Sequence, residues 1–136
     1  MIAALAIFLL LADLAAVKAE PDPNKRSELA LNNAEEKLEA ARQAYQSGDE
    51  SAETADIQEL QDSVSLCYES LEQARGEPRK NRYFKKAELR VSALMRRLTG
   101  FRDDVSFDFR PKVDAVLKKV SDIHDDLLSD IMSKKK

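Results

Sequence analysis

Apolar residues recur along this chain in alternating steps of three and four, in four separate runs. That spacing puts each run on one stripe of a helix, and four such stripes can only be covered by packing against one another. The first stripe holds Leu31, Ala34, Leu38, Ala41 and Tyr45, and the second Ile57, Leu60, Val64, Cys67, Leu71 and Ala74. The third holds Phe84, Ala87, Val91, Leu94, Leu98, Phe101 and Val105. The fourth holds Val113, Val116, Val120, Ile123 and Leu127, widened by Leu117, His124, Leu128 and Ile131. With 136 residues there is room for one domain. Three Gly, four Pro and no Trp suit long helices better than layered α/β structure.

The punctuation agrees with the periodicity. Pro21 and Pro23 mark a linker entering the first helix. Gly48 supplies a stop, with Asp49 and Ser51 as capping residues after it. Gly76, Pro78 and Asn81 mark the next turn, and Asp108 with Pro111 is expected to cap and open the last helix. Short connections make sequential helices antiparallel neighbours. The expected fold is therefore all-α, an up-down-up-down antiparallel four-helix bundle. Gly100, inside the third stripe, is expected to kink that helix or end it about one turn early. Phe101, Phe107 and Phe109 are expected to form an aromatic plug at the third turn. Cys67 lies on an apolar stripe and reads as a small buried hydrophobe.

Ahead of the helices stands IAALAIFLLLADLAAV (2–17), apolar apart from Asp13. Val17 and Ala19 fit the −3 and −1 positions of a signal-peptidase site. The expected organisation is a signal peptide at 1–19, a linker at 20–24, the bundle at 25–132 and a basic tail at 133–136. The chain would then be exported, periplasmic or secreted, after cleavage between Ala19 and Glu20. The departures are that no Lys or Arg precedes the run and that Asp13 interrupts it. An uncleaved membrane anchor and an ordinary buried helix are the alternatives, and for an anchor the run is short of the roughly 20 residues a span needs.

Charge is distributed unevenly. The net value is −3, yet residues 20–74 hold 14 acids and four bases, while residues 75–102 hold ten bases and two acids. Arg82, Lys85, Lys86, Arg90, Arg96 and Arg97 fall opposite the third apolar stripe, with Leu89 among them. Two readings compete for this face. It is a solvated bundle surface, compensated by the acidic second helix if that lies alongside. Otherwise it is a docking face for an anionic envelope surface or an acidic protein partner, with Leu89 as an apolar tooth. Nucleic acid fits poorly, because base-stacking aromatics are sparse here.

His124 is the lone histidine. A metal or haem protein built on it is a third reading, with Met95 or Met132 as formal axial partners for a haem. Dedicated bundle sites draw Glu-x-x-His from more than one helix, however, and no Cys-x-x-Cys-His is present for covalent haem. A boundary histidine is the favoured reading. No nucleophile–base arrangement or Gly-rich phosphate loop stands out, so neither catalysis nor a cofactor is expected. Whether the chain is a monomer or a homodimer stays open, since the wide fourth stripe could be covered either way.

The blocks PNKRSELAL (23–31), SLEQ (70–73), RYFKKAEL (82–89), RRLTGF (96–101) and IHDDLLSDIM (123–132) resemble a family of small exported bacterial helical proteins. The resemblance spans nearly all of the chain after the apolar run. It implies a complete, exported helical bundle and assigns no catalytic or binding residue. The expected function is interaction, as an envelope adaptor, accessory or chaperone-like protein.

Overall fold

The computed structural model describes residues 14–133, which are helical and contain no strand. The apolar run up to residue 13 and the last three lysines of the tail lie outside the described residues. Four long helices follow in order: α1 (Pro23–Gln46), α2 (Glu50–Gln73), α3 (Arg82–Asp104) and α4 (Arg110–Met132). A single 3-10 turn, Pro78–Lys80, stands between α2 and α3. Residues 14–19 are also helical, and the break before α1 is residues 20–22, shorter than the expected linker.

The helix ends are built by local chemistry. Asp22 caps α1 by accepting from the backbone N–H of Asn24, and Pro23 occupies the first turn, where a missing donor costs nothing. Asp49 caps α2 through Ala52 N–H and Asn81 caps α3 through Tyr83 N–H. α1 stops at Gly48, whose φ of +76° is the left-handed conformation that favours glycine. There Asp49 N–H reaches back to Ala44 O and Gly48 N–H to Tyr45 O, closing the last orphan carbonyls.

Two expectations about α3 and α4 are corrected. Asp108 does not cap α4. That helix starts after Phe109, without a side-chain cap, and Ser106 O accepts from the N–H groups of both Phe109 and Arg110. Pro111 in the first turn has already removed one of the donors that a cap would satisfy. Gly100 does not end α3, which continues to Asp104. Backbone hydrogen bonds and the buried Phe101 and Val105 carry the helix past it.

The stripes become the core. Leu38, Leu60, Val64, Val91, Leu98, Phe101, Val113, Val120 and Leu127 are all fully buried. Each is worth about 1.5–3 kcal/mol against exposure. α1 and α2 pack most closely of all the pairs, and the small buried side chains of Ala30, Ala34 and Ala41 on α1 suit a close approach. Partner numbers fall along α2 as they rise along α1: Arg26 meets Ser70, Asn33 meets Ser63 and Lys37 meets Glu59. The same holds between α3 and α4, where Glu88 meets His124 and Arg102 meets Asp114. Between α2 and α4 the numbers rise together, Glu50 with Lys112 and Tyr68 with Asp130.

The aromatic plug is smaller than expected. Phe101 and Phe109 are buried, but Phe107 is 81% exposed at the tip of the α3–α4 turn. Most of the widened α4 stripe is covered within the chain, with Leu117 and Ile131 against the core and Leu128 at its edge. Val17, from the segment ahead of α1, is 7% exposed and belongs to the core. Beside it the Arg26 guanidinium donates to Glu20 O at 2.8 Å.

Candidate docking face on the third helix

The six bases opposite the apolar stripe of α3 do not act as one surface. α3 packs against α1 and α4 and barely touches α2. One flank of its basic arc is therefore turned to α1, where acids meet it in ascending order. Lys86 pairs with Glu28. Arg90 pairs with Glu35 at 3.0 Å and donates to Asn32 Oδ1 at 2.7 Å. Arg97 pairs with Glu39 at 3.4 Å. Arg42, coming the other way, reaches Asp104 at 3.7 Å and donates to Arg97 O at 3.1 Å. Compensation is thus present, but it comes from the first helix and not from the acidic second one. The acids step by seven and then four residues and the bases by four and then seven, so only the overall span of eleven is shared, and the pairing is legible only once the two helices are placed side by side.

What remains points outward. Arg82, Lys85, Leu89 and Arg96 follow one another at helical spacing on the side away from the core. Among the described residues neither Lys85 nor Arg96 has a carboxylate within ion-pair distance. Arg96 donates only to Ser92 Oγ, at 3.3 Å. Arg82 lies over the Tyr83 ring at 5.1 Å and donates to its hydroxyl, which holds the guanidinium above its usual range. Leu89 is 67% exposed between them. An exposed leucine on a helix with a complete core stripe does nothing for this chain's own packing.

The fourth face of α3 looks at α4. There Glu88 Oε2 meets His124 Nε2 at 2.8 Å, so the histidine's outer nitrogen is engaged by a carboxylate from the neighbouring helix. Asp125 lies 4.0 Å from the other ring nitrogen and is itself exposed. Met95 is half-buried and Met132 exposed. Among the described residues no three His, Cys, Asp or Glu side chains converge as a metal site would require. Cys67 is fully buried, and that burial pushes its thiol up to about 12, with Arg90 pulling weakly the other way. It packs as a small hydrophobe rather than as a reactive thiol.

No family model, no curated protein and no solved structure matches this chain.

Proposed function

We propose that this protein is a non-enzymatic helical bundle of up-down-up-down topology that works by docking a protein partner on the outward stripe of α3. The observation that carries the reading is the division of the basic arc. Lys86, Arg90 and Arg97 are engaged by α1, whereas Lys85 and Arg96 flank an exposed Leu89 with no acid of their own among the described residues. An apolar tooth between cations suits an acidic-rimmed apolar slot, in which the leucine supplies burial and the bases set orientation. The bundle topology is supported by the falling partner numbers between sequential helices and the short turns that join them.

The test is a photo-crosslinking side chain placed at position 89 in cells, with position 122 on α4 as the control. An adduct from 89, lost when Lys85→Glu and Arg96→Glu are added, is the expected result. Equal adducts from both positions would end the proposal. A parallel sedimentation with anionic and neutral vesicles separates the alternative of an anionic envelope surface, which would bind in a salt-sensitive way. Reversing Lys86 and Arg90 is a poor test, because it would also break the contacts to α1.

Export is part of the same proposal, resting on the apolar run at 2–17 and the resemblance to small exported proteins. Val17 favours a retained segment over cleavage after Ala19, since removing it would open the core that it helps to close. The intact mass of the protein isolated from its native compartment decides between the two.

A further inference from the structure

A cleft lies at the end of the molecule where α1 stops, α2 starts and α3 turns into α4. Its volume is about 230 Å³, and Tyr45, Glu50, Glu53, Asp108 and Phe109 contribute to its walls. With Gly48 and Ser106 the lining has seven residues, of which three are acids. One of them is in an unusual state: Glu53 is 2% exposed, and its Oε2 has no hydrogen-bond donor among the described residues. A buried carboxylate oxygen without a donor is expensive to keep, and native proteins rarely keep one without a use. Lys112 is the cation nearby, but its ammonium goes to Glu50 at 3.5 Å and Thr54 Oγ1 at 3.4 Å, and it lies over the Phe109 ring at 5.3 Å. It leaves Glu53 unbonded.

We infer that this cleft is a binding site for a small organic cation, an ammonium or guanidinium group, with Glu53 as its principal acceptor. The chemistry fits on three counts. The lining is acidic beyond what Lys112 offsets. The Phe109 face already tolerates one ammonium, as cation–π geometry allows. The volume lies below the roughly 300–1,000 Å³ of pockets for drug-sized ligands, so it suits a headgroup with a short stem. A hard divalent ion is served less well, because it wants six or more oxygens and no such group of side chains converges among the described residues.

The experiment uses the full chain and backbone amide NMR. It is titrated with n-propylammonium and n-propylguanidinium chlorides, with sodium chloride at matched ionic strength as the reference. Saturable shifts confined to residues 45–53 and 106–112 are expected. Glu53→Gln should weaken binding at least tenfold, and Asp122→Asn should leave it unchanged. Should Glu53→Gln fail to fold, Glu53→Asp, which withdraws the charge by one methylene, should still weaken it severalfold. A capped tripeptide centred on arginine separates the source. Tighter binding than propylguanidinium means a partner's side chain, and no gain means a free amine. Shifts that never saturate and match those of sodium chloride would overturn the site. So would unchanged binding in a folded Glu53→Gln protein.

Discussion

Lys37 and Glu53 are both buried, and the chain treats their charges differently. Lys37 meets Glu59 Oε2 at 3.4 Å within a polar seam that includes Asn33 and Ser63. Among the described residues Glu53 has no such partner, and burial raises its pKa, with Glu50 adding to the rise and Lys112 opposing it. The sign of the consequence follows from linkage. A carboxyl whose folded value lies above its unfolded one holds its proton more tightly when native, so it costs stability as pH rises through the interval between the two. Glu53→Gln is therefore expected to raise stability at pH 7, by about 1 kcal/mol. The gain should vanish below about pH 4, where both forms are neutral. Urea denaturation at the two pH values measures it. Lys37→Ala should act in the opposite direction, costing about 2–4 kcal/mol, because it leaves Glu59 and Asn33 facing an unfilled gap. Neither residue could be picked out by periodicity. A polar residue next to an apolar stripe looks the same whether it snorkels to water or is sealed by a neighbouring helix, and the seal here comes from residues 20 or more positions away.

At the scale of the helices, the apolar stripes were legible almost residue for residue, since burial on one face is a local property of a 3.6-residue repeat. All seven members of the third stripe are buried as expected. The caps at Asp49 and Asn81 were legible for the same reason, because a cap is settled within three residues. Asp108 was not, because a carbonyl, Ser106 O, took the donors first. Gly100 misled for another reason: a glycine lowers helix propensity without forbidding helix, and tertiary packing on both sides overrode it. A methyl added there would meet only Arg42 Nη2, at 3.9 Å. Gly100→Ala is thus expected to stabilise the protein by about 0.5–1 kcal/mol, read as a higher urea midpoint with an unchanged slope. Asn33→Ala should cost about 1–3 kcal/mol by removing the donor shared between Glu59 and Ser63. The candidate docking stripe was only half legible. Its seven members were named from the wheel, but the division into residues held by α1 and residues facing outward needed the neighbour's identity.

For the molecule as a whole, the unequal packing of the two helix hairpins sets an order of opening. α1 and α2 approach each other most closely, while α4 begins without a side-chain cap. Hydrogen exchange should therefore be slowest at Leu38, Leu60 and Val64 and faster at the start of α4, with protection factors differing by at least tenfold. The ladder of acids and bases between α1 and α3 bears on how the protein meets anything else. A column of negative charge beside a column of positive charge is, seen from outside, a field that cancels within a few ångströms of the surface. Over a screening length of about 8 Å at physiological salt, little of it survives. The paired rungs Lys86, Arg90 and Arg97 are therefore a poor long-range beacon. Steering of an acidic partner to α3 would fall to Lys85 and Arg96, unpaired among the described residues, and added salt would slow its arrival more than its departure.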